Sequence, residues 1–180
     1  MNPDKYRALK NRLLVGGYES EIQWAAEIKP CADAVEFFME YSWVVLNSGM
    51  KEQIARKIWS RILDAMQKGK KAIDVFGHKG KARAIDTMCH RRNERFDEYG
   101  KSPDKLTYLQ SLPWIGPITK YHLAKNLGHD CVKPDRHLVR IAAMEGKTPD
   151  ELCRELSVAT GNKLAVIDTV LWRAANLGIL

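Results

Sequence analysis

Hydrophobic positions recur at spacings of three and four from one end of the chain to the other, and few segments alternate apolar and polar residues at period two. That periodicity predicts an all-α protein. Helices are predicted over 4–14, stopped by Gly16-Gly17, and over 20–28, stopped by Lys29-Pro30. The stretch 33–46 carries Val35, Phe38, Met39, Trp43, Val45 and Leu46, so it is predicted to be a central core helix that breaks at Asn47-Ser48-Gly49. Over 51–67, Ile54, Ile58, Ile62, Leu63 and Met66 share one side and basic residues the other. A single helix is predicted over 81–99, and Ser102-Pro103-Asp104 caps a short one reaching Ser111. Farther on, Pro134-Asp135 starts a helix through Ala143 with Asp135 at its N-cap. Thr148-Pro149-Asp150-Glu151 combines a cap, a first-turn proline and a capping-box glutamate for a helix to Thr160. A last helix, 163–175, offers Ala165, Asp168, Val170, Leu171, Trp172 and Ala175 for docking onto the body.

A chain of 180 residues is long enough for one domain with a substantial core, built as two lobes. No apolar run approaches the roughly 20 residues of a membrane helix, and Met1 to Tyr6 lack the pattern of a secretory signal. A soluble, intracellular monomer of the cytoplasm, nucleoid or nucleus is therefore expected, with no membrane partner. Cys31, Cys89, Cys131 and Cys153 form no CxxC pair and read as reduced, mostly buried thiols. His90, His122, His129 and His137 share no metal-ligand spacing, so neither metal nor cofactor is expected. The net charge of +7 is unevenly spread: thirteen Lys or Arg face seven Asp or Glu between Lys51 and Gly100. Such a stretch is either a solvated helical face or a surface for a polyanion.

One constellation carries chemistry. Leu112-Pro113-Trp114-Ile115-Gly116-Pro117-Ile118-Thr119-Lys120 is followed, after a short polar connection, by Val132-Lys133-Pro134-Asp135-Arg136-His137. A glycine-bearing turn that opens a helix offers unpaired amides to a phosphate, and an aspartate beyond it can be held against the attached sugar. This order and spacing resembles the helix-hairpin-helix DNA glycosylases, the superfamily of endonuclease III and the 8-oxoguanine and alkylbase glycosylases. The resemblance spans about 35–143, including Val75-Phe76-Gly77 with Lys81-Ala82 and Ile85, and is strongest over 106–141.

The resemblance implies a single domain over 1–180 whose two helical lobes flank a DNA-binding cleft, with the hairpin at about 106–128 and the catalytic loop and helix at 129–143. Leu109, Leu112, Ile115, Leu123, Ala124 and Leu127 would anchor the hairpin. Trp114, Gly116, Ile118, Thr119, Lys120, Lys133 and Arg136 would contact double-stranded DNA carrying a damaged or modified base. Trp114 stands where the family has a second glycine, so the turn is either tilted or itself an aromatic contact. Asp135 would be the catalytic carboxylate, stabilising positive charge at the sugar and orienting water. Read alone, Pro134-Asp135 is an ordinary helix cap.

Glu40, Trp43 and His137 are candidates for the base pocket, and Asn47 and Ser48 for the residue that fills the gap left by an everted base. The lysine nucleophile of strand-cutting members is replaced by Ile118, which cannot form a Schiff base, so a monofunctional glycosylase is implied. The iron-sulfur cysteine signature of endonuclease III is also absent. Two alternatives stand beside it: a glycosylase/lyase using a lysine such as Lys120, and a non-catalytic DNA-binding module.

Overall fold

The computed structural model describes residues 1–180 as twelve helices and no strand. In chain order they are α1 (Pro3–Val15), α2 (Glu19–Glu27), α3 (Ala34–Asn47), α4 (Glu52–Gln67), α5 (Ala72–Val75) and α6 (Lys79–His90). The remainder are α7 (Arg92–Lys101), α8 (Lys105–Ser111), α9 (Thr119–Asn126), α10 (Arg136–Ala143), α11 (Pro149–Thr160) and α12 (Leu164–Asn176). They form two compact units, Met1–Pro30 with Gly128–Leu180, and Cys31–Leu127. No helix is long and apolar enough to cross a membrane.

In the first unit α12 is the hub, packed on α1, α2, α10 and α11. Its sequence is apolar nearly all round, and residues 164 to 171 are all buried together with Ala174 and Ala175. A helix with no polar stripe must be enclosed, and each buried Val, Ile or Leu contributes about 1.5–3 kcal/mol. The final segment is thus the centre of its unit rather than an element docked on its outside, and Asp168 lies inside that core at 2% exposure. Asp130 Oδ1 accepts from the Ala165 amide (2.8 Å), tying the loop after Gly128 to the start of α12. Gly128 is required there twice over: its φ is 94°, and a Cβ would lie 2.4 Å from the Lys29 carbonyl oxygen.

The second unit is arranged around α3, which packs on α4, α6, α7 and α9. Phe37 and Tyr41 are wholly buried, and the Phe37 ring meets those of Phe96 and Tyr99 at 6.0 and 5.2 Å. The helix predicted over 81–99 is two, broken at Arg91, which has φ −100° and ψ 15°. No glycine or proline marks this break. The Arg92 guanidinium donates to the Cys89 carbonyl (2.8 Å), a side chain taking a carbonyl at the end of α6. Only Cys153 of the four free cysteines is buried; the other three are half-buried.

Candidate functional site

The hairpin is built from α8, the turn 112–118 and α9. Asp104 caps α8 by accepting from the Thr107 amide (3.0 Å) and hydroxyl (2.6 Å), and these bonds lower its carboxyl pKa. Leu109, Leu112, Ile115, Leu123, Ala124 and Leu127 are all buried, so the six expected anchors do seat the two helices. Deep in the second unit, the Tyr41 hydroxyl donates to the Pro113 carbonyl (2.8 Å), fastening the turn to α3.

The turn departs from expectation at its glycine. Gly116 does not adopt a left-handed conformation, and its amide is already donated to Thr119 Oγ1 (2.7 Å). Within the turn the amides of Trp114, Ile118 and Thr119 have no acceptor in the protein, the last two lying at the start of α9. Trp114 takes the left-handed backbone, at φ 65°, the only non-glycine residue to do so. That conformation costs a residue with a Cβ about 1–2 kcal/mol. Its indole meets the His78 ring edge-on at 5.0 Å and remains 48% exposed.

Ile118 is 39% exposed, and Lys120 is turned to Gln110, with Nζ to Oε1 at 2.7 Å, over the Tyr121 ring.

Asp135 belongs to the first unit, at the N-cap of α10. A tight turn at Pro134 joins the Asp135 amide to the Lys133 carbonyl (2.8 Å), setting the entry into the helix. Oδ1 accepts from the amides of His137 (2.9 Å) and Leu138 (3.2 Å), while Oδ2 takes no part in the cap and lies 3.9 Å from Lys133 Nζ. The carboxyl side chain is 14% exposed, so it is neither sealed inside the core nor free to rotate. The cap thus uses one oxygen of the residue and leaves the other outside it. Arg136 is exposed and His137 half-buried, and Arg140 donates to the Leu180 backbone oxygen (2.9 Å).

In the second unit Glu40 and Trp43 come together. With Arg56, Trp59, Ser60 and Asp64 they line a groove of about 550 Å³ between α3 and α4. Glu40 Oε2 accepts from Asn126 Nδ2 (2.8 Å), and burial raises its carboxyl pKa despite that bond. The Arg56 guanidinium covers the Trp43 ring at 5.3 Å.

Asn47 ends α3 and Ser48 follows as its C-cap, both half-buried. Their loop is held by Lys81, a residue that sequence reading placed only in a helix start. Lys81 is 7% exposed and Nζ donates to the Ser48 carbonyl (2.6 Å) and reaches that of Leu46 (3.5 Å); burial lowers its pKa. Gly80 beside it was equally silent, although a glycine inside a helix is a local sign of close approach.

The basic stretch is less open than its charge count implies. Arg56, Lys68, Arg91 and Arg95 are paired with Glu52, Asp64, Glu94 and Glu98 one helical turn away, so four of its thirteen basic side chains are already engaged by carboxylates within the protein.

No protein-family profile and no curated protein matches the chain. Two solved structures match it in fold. One is the Methanocaldococcus jannaschii 8-oxoguanine glycosylase/lyase in complex with a 15mer DNA containing 8-oxoguanine, 17% identical, with a TM-score of 0.69 over 98% of this chain and 97% of that one. The other is the 8-oxoguanine DNA glycosylase of the same organism, 17% identical, with a TM-score of 0.67 over 98% and 94%. At this identity the likeness is one of architecture, and it runs through both units rather than the hairpin alone. The chain has the all-helical fold of the helix-hairpin-helix DNA glycosylases.

Proposed function

We propose that this protein is a base-excision-repair glycosylase that hydrolyses the N-glycosidic bond of a damaged or modified base in duplex DNA. The observation that carries the proposal is the divided carboxylate of Asp135: two backbone amides immobilise Oδ1, and Oδ2 is left for chemistry. Breaking the bond to the base builds positive charge on the deoxyribose. A carboxylate already oriented by its helix stabilises that charge without reorganising. Oδ2 then accepts a proton from the water that adds to the anomeric carbon, and the base leaves with the bonding pair.

Binding is assigned to the hairpin. The Ile118 and Thr119 amides would hold a backbone phosphate, with Gly116 leaving the approach open and Lys120, Lys133 and Arg136 contributing charge. For the base itself, Glu40, Trp43 and His137 are the proposed contacts, and Asn47 or Ser48 the proposed wedge. The resident fold of two 8-oxoguanine glycosylases supports the reaction class, and oxidised purines belong first in a substrate panel.

Asp135→Asn tests the reading, because asparagine caps a helix nearly as well as aspartate. Excision measured in single turnover across a panel of modified-base duplexes should fall by about 10²–10⁴-fold, with duplex affinity and melting temperature retained. Full activity in the variant would remove Asp135 from the chemistry, whereas no excision of any lesion by the wild type would leave only the non-catalytic DNA-binding module. A second reading, a glycosylase/lyase, rests on Lys133, whose amine lies 3.9 Å from Asp135 Oδ2. If the protein also cuts the strand, borohydride should trap it on DNA and Lys133→Gln should abolish trapping; absence of any trapped species establishes simple hydrolysis.

A further inference from the structure

We infer that Trp114 is a stacking platform for an unpaired base, so that the hairpin favours DNA in which one nucleotide beside the bound phosphate is unstacked. This rests on the DNA-binding part of the function proposed above and adds a preference to it. Three observations carry it. Trp114 is a large aromatic residue in a left-handed backbone conformation that glycine or asparagine would adopt with less strain. Packing does not explain the choice, because Leu112 and Ile115 on either side already fill the core at 3% and 5% exposure while half of the indole faces solvent.

The third observation is that a second position is given over to placing this ring. Gly80 sits in the first turn of α6, where most residues would serve, yet a Cβ there would lie 2.6 Å from Trp114 Cζ2. The indole's benzo edge lies over the Gly80 backbone. His78 meets the same ring edge-on, and its Nδ1 accepts from the Lys81 amide (3.3 Å), which keeps the imidazole oriented. The ring is therefore positioned by two residues of α6 and its lead-in, with its remaining surface unused by the protein.

An immobile aromatic face beside a phosphate-binding turn is the combination by which proteins hold single-stranded nucleic acid: charge and amides follow the backbone, and bases stack without sequence preference. In an intact duplex the bases already stack on each other. The gain is available only where pairing is disturbed, as at a bulge, a mismatch or a lesion.

The test uses two fluorescein-labelled, lesion-free duplexes of the same sequence, one fully paired and one with a single unpaired adenosine, titrated by anisotropy at fixed salt. The wild type should bind the bulged duplex about tenfold more tightly, within the range that single base–aromatic stacks give. Trp114→Gly should bind both equally while keeping its circular dichroism and melting no lower than the wild type, and Trp114→Phe should retain part of the preference. Gly80→Ala should lose the preference too, although it still has the tryptophan. Equal wild-type affinities, or a preference that survives Trp114→Gly, would overturn the inference and leave the glycosylase reading standing. Failure to bind either duplex would overturn both, whereas full excision by Asp135→Asn with the preference intact would overturn only the catalytic assignment.

Discussion

In the first unit the local rules of helix formation are kept almost everywhere, whereas the second breaks several of them. Around α12, apolar positions are buried, Thr148 and Glu151 form a reciprocal capping box, and Gly161 ends α11 at φ 71°. Its irregular side chains are the buried Tyr6 hydroxyl, which has no partner, and Asp168, a carboxyl inside the core. The second unit holds a tryptophan at positive φ, a buried lysine bonded to carbonyls, a carboxyl with a raised pKa and a buried serine hydroxyl with no partner. Each carries a stability cost that a simpler residue would avoid. Such departures collect where a protein meets a ligand. The proposed catalytic residue nevertheless lies in the orderly unit, because Asp135 does its structural work with one oxygen and needs no strain to present the other.

The contrast is broken most directly in the first unit. Leu171 is fully buried on a helix enclosed by four others, so Leu171→Ala should lower unfolding free energy by about 2–5 kcal/mol in chemical denaturation. A loss below about 1 kcal/mol would mean that the core collapses around the gap, and that the orderly unit is looser than its burial indicates.

What was legible in the sequence follows the same division. Caps and stops are local, so Asp104, Asp135 and Thr148 were all placed correctly, as were the six hairpin anchors. The fold class followed from periodicity, and both solved glycosylase structures share it. The misses are pairings across the chain or conformations that composition disfavours. Nothing local announces that Asn126 will meet Glu40, 86 positions away, or that Lys81 will be drawn inside by the carbonyls of Leu46 and Ser48. The break at Arg91 has neither glycine nor proline to mark it, and the left-handed tryptophan lies against a glycine 34 positions earlier that leaves room for its ring. The central role of α12 was missed because an apolar helix reads alike whether it docks on a core or forms one.

In the second unit, replacing an irregular residue should stabilise the protein. Glu40 has a carboxyl pKa raised above its ordinary 4.5, chiefly by burial, so folding favours the protonated form. Its contribution is complete below the ordinary value and is lost as pH rises through the raised one, since the folded state then holds the proton the unfolded state has released. Glu40→Gln keeps an acceptor for Asn126 and removes the buried charge. Its melting temperature should exceed that of the wild type at neutral pH, and the difference should shrink as pH falls toward 4.5. A variant less stable at neutral pH would show that the ionised form is held by the groove. If stability rises while excision falls, Glu40 is retained for the base rather than for the fold.

The smallest expected effect is at Ser42, in the middle of α3, where the hydroxyl is wholly buried and makes no hydrogen bond. Ser42→Ala removes an unsatisfied polar atom and improves helix propensity, so stability should rise by about 0.5–1 kcal/mol in denaturant titration. A loss of similar size would show that a partner, such as an enclosed water, satisfies the hydroxyl in solution. That outcome would take Ser42 off the list of departures in the second unit. The difference between the units would then rest on Trp114, Lys81 and Glu40, each of which lies in or beside the hairpin, the 46–49 loop or the groove.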